Sequence, residues 1–91
     1  MVSVDSNDPC IVGNRVNSKH RKILAEAIRF HRKKLHFTQE KLGELAELNP
    51  KYIGEVERCE KTISVDALAR IASSLKVDLS DFFKKVPEED Y

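Results

Sequence analysis

Apolar residues recur at helical spacing through the middle of the chain. Leu24, Ala27, Ile28 and Leu35 form one stripe, with His31 among them. Leu42, Leu45 and Ala46 repeat at i, i+3, i+4, and Ile53 and Val56 repeat after them. In a fourth segment Val65, Leu68, Ala69, Ile71, Ala72 and Leu75 are expected to face inward. Polar start signals stand before the stripes. Ser18 is placed to cap a first helix of about Lys19 to Leu35, and the Thr38 hydroxyl to accept first-turn N–H groups of a second. Asn49 is a strong N-cap, and Pro50 suits the first helical position, where a missing N–H is no loss. Ser64 caps a fourth helix, and the helix dipole favours Asp66 in its first turn. Glu60 to Ile63 reads as a loop and Lys76-Val77-Asp78 as a turn. Leu79 to Lys84 reads as a short fifth helix with Phe82-Phe83 at its end, and Pro87 stops regular structure. The pattern predicts an all-α domain, with no strand that must form.

The second and third helices are joined by only Glu47 to Asn49. That is the layout of a helix-turn-helix, whose second helix can lie in a DNA major groove. Residues 1–18, rich in Ser, Asn, Asp, Gly and Pro, are expected to be a flexible lead. Residues 19–85 form the helix-turn-helix domain, and 86–91 an acidic tail.

Composition adds bounds. The 91 residues fit one domain and a modest core. No apolar run approaches the roughly 18 residues of a membrane span, so the cytoplasm is the expected compartment. Two distant cysteines, Cys10 and Cys59, do not make a disulfide framework. Cys59 beside Arg58 is either an inert thiol or one with a lowered pKa. The three histidines and two cysteines have no metal-ligand spacing, and no cofactor is implied. No Ser-His-Asp spacing, nucleophile elbow or phosphate-cradling Gly loop appears, so an enzyme is not expected. The net charge is only +1, yet its distribution is uneven. Between Arg15 and Lys41 lie Lys19, Arg21, Lys22, Arg29, Arg32, Lys33 and Lys34 against Glu26 and Glu40. This run is either a phosphate-binding face or a solvated one.

Particular residues then point to a family. Thr38-Gln39 opens the second helix, and Leu42 follows three residues after the Gln. Tyr52-Ile53 sits in the third helix, before Glu57-Arg58. These resemble the phage-repressor and Cro type of helix-turn-helix domain, the XRE family. ISVDALARIASSLKVDLSDFF resembles that family's fourth and fifth helices, so the likeness runs from about Ile28 to Phe83. LNPKYIGEVERCEKTIS is similar to the restriction–modification controllers. The implied fold is a five-helix, lambda-repressor-like DNA-binding domain. Three positions depart from the family. Gly43 stands where the family has Ala and helices pack closely, and Gly costs about 0.5–1 kcal/mol in a helix. Glu47 stands where the family often has a turn Gly. Cys59 stands where it has Gly at positive φ, so either the helix end is remodelled or strain of roughly 1–2 kcal/mol is tolerated.

The resemblance also implies roles. Pro50, Lys51 and Glu55 fall on base-reading positions: Pro50 for apolar contact with a thymine methyl, Lys51 for guanine O6 and N7, Glu55 for cytosine N4. Glu55 is otherwise a surface charge. Gln39 contacts phosphate, braces the recognition helix, or caps a turn. Thr38, Asn49, Tyr52, Arg58, Lys61 and Thr62 are the further candidates for the DNA backbone. Gly54 either lets the backbone approach DNA or simply lowers stability. Arg32 and Glu57 match a buried ion pair between the first and third helices. Leu79, Phe82 and Phe83 mark the expected homodimer interface. The expected function is sequence-specific binding of double-stranded DNA by a dimeric repressor or controller on a near-palindromic operator. The competing reading is a protein-interaction module that kept the fold without strong DNA binding, suggested by Glu44, Glu47, Glu55 and Glu60 around the recognition helix.

Overall fold

The computed structural model describes residues 18–84 and 86. The segment 1–17 and the tail 87–91 lie outside the described residues, as does the side chain of Ser18 with its expected cap. Four α-helices, α1 (Ser18–Lys34), α2 (Gln39–Ala46), α3 (Pro50–Glu57) and α4 (Val65–Leu75), precede a 3-10 helix at Leu79–Phe83. The fifth helix is therefore 3-10 and not α. Five residues are too few for a stable α nucleus, and i→i+3 bonds such as Asp81 N–H to Asp78 O (2.9 Å) close the shorter turn instead. Asp81 Oδ2 accepts from the Asp78 N–H (3.2 Å) and fixes its start.

Side chains set the helix starts. Thr38 Oγ1 accepts from Lys41 N–H (2.9 Å), Asn49 Oδ1 from Lys51 N–H (2.9 Å) and Ser64 Oγ from Ala67 N–H (3.1 Å). The helix ends share one device. His36, Glu47, Cys59 and Lys76 adopt φ of 60°, 59°, 63° and 60°. The N–H of the residue after each reaches back five residues: Phe37 to Arg32 O, Leu48 to Gly43 O, Glu60 to Glu55 O and Val77 to Ala72 O. This is the Schellman end, usually built on glycine. At Cys59 the helix end is thus not remodelled; the left-handed conformation is kept. Phe37, Leu48 and Val77 turn their side chains onto the core, and that burial offsets the strain.

The core gathers Ala27 and Ile28 of α1, Leu42 and Ala46 of α2, Ile53 and Val56 of α3, Leu68, Ile71, Ala72 and Leu75 of α4, and Phe82. α4 packs across α2, while α1 packs on α3 and the 3-10 helix. Four expected inward residues are exposed: Leu35, Leu45, Val65 and Ala69. Leu35 lies just past the end of α1. Val65 is the first residue of α4 and is 72% exposed. The α2 seam is Leu42, Gly43 and Ala46, and Leu45 lies about 100° from its centre. Ala69 sits a similar angle around from Leu68. Cys59 is buried against Ala25 and disulfide-bonded, which corrects the expectation of a lone thiol. Among the described residues no helix is long and apolar enough to cross a membrane.

Candidate nucleic-acid interface

α2 and α3 are held by one buried polar network. Arg32 (8% exposed) donates from Nε to Glu57 Oε2 at 2.7 Å and from Nη2 to Glu57 Oε1 at 2.9 Å, with Glu57 4% exposed. Arg32 Nη1 also donates to Phe37 O (2.7 Å), and Gln39 Nε2 to Glu57 Oε1 (3.1 Å). Arg29 Nη1 donates to Glu57 O (3.1 Å) at the end of α3. The fork of Arg32 matches the carboxylate in two parallel bonds. Among the described residues no buried side-chain nitrogen or oxygen lacks a partner.

A close approach fixes the turn between the helices. A Cβ on Gly43 would lie 2.6 Å from Leu48 O and 3.1 Å from the Pro50 ring. The Pro50 ring is therefore set against α2 and is only half-exposed. Gly54 is buried under the side chains of Gln39 and Arg58, which would stand 3.2 Å and 3.1 Å from an added Cβ. Its missing side chain makes room for these two groups, so Gly54 is neither of the two things expected of it, an open backbone for DNA or a simple loss of stability.

The outer face of α3 carries exposed Lys51 and half-buried Tyr52, whose ring packs on the core. Glu55 lies 3.6 Å from the Lys61 ammonium. Arg58 donates from Nε and Nη2 to Glu60 at 2.9 and 3.1 Å. That hydrogen bond raises the Arg58 pKa and lowers that of Glu60. Lys41 Nζ reaches Glu44 at 3.3 Å. Thr62 Oγ1 accepts from Arg21 Nε (2.9 Å). Thr38 and Asn49 each commit a side-chain oxygen to a cap. Leu79 and Phe82 pack into or onto the core, whereas Phe83 stays exposed. Sequence reasoning did not anticipate the contacts of Arg21 and Arg29. The available signal was their spacing from Arg32, which places all three on one side of α1.

Four α-helices and a 3-10 helix, with α2 and α3 joined by a short turn and packed together, define the class: an all-α helix-turn-helix protein. Residues 28–82 match the helix-turn-helix family. The chain is 36% identical over 59 residues to control protein C.SmaI of Serratia marcescens, covering 65% of this chain and 70% of that one. Its fold is similar to the restriction-modification controller protein C.AhdI of Aeromonas hydrophila, at a TM-score of 0.69 and 25% identity, over 71% of this chain and 98% of that one. It is also similar to the clp gene regulator ClgR of Corynebacterium glutamicum, at a TM-score of 0.66 and 31% identity, over 68% of this chain and 66% of that one. The chain belongs to the helix-turn-helix family, and with it to a class of DNA-binding transcriptional regulators.

Proposed function

We propose that α3 enters the major groove of an operator half-site and that two copies of the chain read a near-palindromic site. The observation that carries this reading is the Arg32–Glu57–Gln39 network. It fixes the recognition helix against α1 and α2 while Lys51 stays exposed on its outer face. In this reading Lys51 donates to guanine, Glu55 accepts from cytosine and the Pro50 ring edge meets a thymine methyl. Thr38, Gln39, Asn49, Tyr52, Arg58, Lys61 and Thr62 line the backbone and set the register. Three acids near α3 each face a cation, in the pairs Lys41–Glu44, Lys61–Glu55 and Arg58–Glu60. Their charge is thus locally matched, which weakens the reading of a purely acidic protein-docking face. One recognition helix reads only a few base pairs, so pairing of half-sites about one turn, roughly 34 Å, apart supplies the missing affinity.

Selection of bound duplexes from a random pool, followed by titration of the selected site against salt, tests the proposal. A defined inverted repeat and a steep salt dependence are expected. No enriched sequence and no salt-dependent shift would leave the protein-interaction reading in its place.

A further inference from the structure

Arg58 continues the outer face of α3. With Lys51 and Glu55 it makes an i, i+4, i+7 stripe, and its N–H still closes on Gly54 O at 3.0 Å. On a continuing helix Glu60 would not face Arg58, because side chains two residues apart point to different sides. The left-handed Cys59 between them changes this. It turns the chain so that the Glu60 N–H reaches Glu55 O at 2.8 Å, and the Glu60 carboxylate lies against the guanidinium. Oε2 accepts from Nε at 2.9 Å and Oε1 from Nη2 at 3.1 Å. The third nitrogen, Nη1, sits over Gly54, 3.1 Å from the place of an added Cβ. The guanidinium is thus held at both ends, and the two-donor edge formed by Nε and Nη2 is filled.

We infer that Glu60 is a built-in competitor for DNA phosphate: its carboxylate occupies the fork of Arg58 in the free protein and leaves it when a backbone phosphate arrives. This rests on the DNA-binding reading above, in which Arg58 meets the backbone. An arginine fork takes carboxylate and phosphate in the same two-bond geometry, so the two anions contend for one edge. The hydrogen bond from Arg58 lowers the Glu60 pKa, so the competitor keeps its charge at neutral pH. Both side chains are exposed. A phosphate can therefore reach the pair, and opening it costs little, since exposed pairs are weak. Lys61 and Glu55 make a single contact at 3.6 Å and fill no such fork. Because a backbone contact carries no base information, Glu60 lowers the affinity of every sequence alike.

The test compares wild type with Glu60→Gln, Arg58→Ala and the double variant, on the duplex selected from a random pool and on single-base variants of it. Glu60→Gln keeps the shape of the side chain and removes its charge. It should bind about two- to fivefold more tightly than wild type, the scale of an exposed pair. The gain should shrink as salt screens the pair, and base preferences should not change. In the Arg58→Ala background the same substitution should bring no gain, because no fork remains to be freed. An equal gain in both backgrounds would overturn the inference, since it marks plain repulsion between Glu60 and DNA. Unchanged binding of Glu60→Gln would overturn it too, and weaker binding would make Glu60 a positioning residue for Arg58 instead. A wild type and variants that all bind no duplex in a salt-dependent way would remove the DNA reading and this competitor together.

Discussion

Lys51 and Gly43 act through opposite properties, one through what it presents and the other through what it lacks. Lys51 stands exposed in the first turn of α3, its backbone N–H held by Asn49. Lys51→Ala is expected to lower operator affinity by about 1–3 kcal/mol and to relax preference at one base pair. Titration against single-base variants of the operator checks it, and an equal loss on every sequence would reassign Lys51 to phosphate. At Gly43 two effects compete. Alanine is the better helix former by about 0.5–1 kcal/mol. Its Cβ, however, would sit 2.6 Å from Leu48 O, a backbone atom fixed by its own helix-end turn. Overpacking of that kind costs about 1–3 kcal/mol, so the clash wins and Gly43→Ala should lower the melting temperature. At about 4–8 °C per kcal/mol for a domain of this size, the drop is easy to see. A melt at or above wild type would show that the α2–α3 turn can open without loss.

Between elements, the pair Arg32–Glu57 joins α1 to α3 and the His31 ring joins α1 to the 3-10 helix. Arg32→Ala strands a buried carboxylate, and Glu57→Ala a buried guanidinium, each costing about 3–5 kcal/mol. Both variants should melt well below wild type while any remaining folded protein keeps its base preference. Unchanged melts for both would mean that the network does not carry stability. His31 lies 5.0 Å from the Phe30 ring and 5.7 Å from Phe82. Burial depresses its pKa below the ordinary value of 6.5, with nearby Asp81 opposing and Lys34 adding to the shift. The unfolded chain therefore takes up this proton more readily than the folded one. Stability from this group is present above about pH 6.5 and is lost as the pH falls below it. His31→Leu should flatten that part of a plot of melting temperature against pH, and an unaltered acid limb would assign it to other groups. These elements also show what was legible in the sequence. Thr38, Asn49 and Ser64 could be read because a cap is a local event, settled within three residues. Leu45 and Ala69 were misread because periodicity gives a stripe without its exact centre, which only the packing of α4 on α2 decides. Arg29 on the Glu57 carbonyl and Arg21 on Thr62 join residues far apart in the chain; their spacing put both on the side of α1 that carries Arg32, but no local signal names the partner each one meets. The disulfide at Cys59 was missed for the same reason.

At the scale of the whole molecule the open question is what covers the C-terminal edge. Leu79 and Phe82 pack with the core, and Phe82 is fully buried under α1 and α4. Phe83, the next residue, is 59% exposed. A 3-10 turn places neighbouring side chains about 120° apart, so a short helix that buries Phe82 must turn Phe83 outward. The exposed Phe83 ring is the apolar centre proposed here for an interface. A two-fold pair would use this patch twice and align its axis with that of an inverted-repeat operator. On this proposal Phe83→Glu yields a folded monomer, because the ring contributes little to the core, and operator binding weakens with the loss of the second half-site. Phe82→Glu is the contrasting variant and should fail to fold, since it places a charge in a site of 0% exposure. Sedimentation and thermal melts of both variants separate the outcomes. A folded Phe83→Glu protein that still sediments as a dimer would move the interface elsewhere. A wild-type protein that stays monomeric at high concentration and on its operator would remove the dimer altogether.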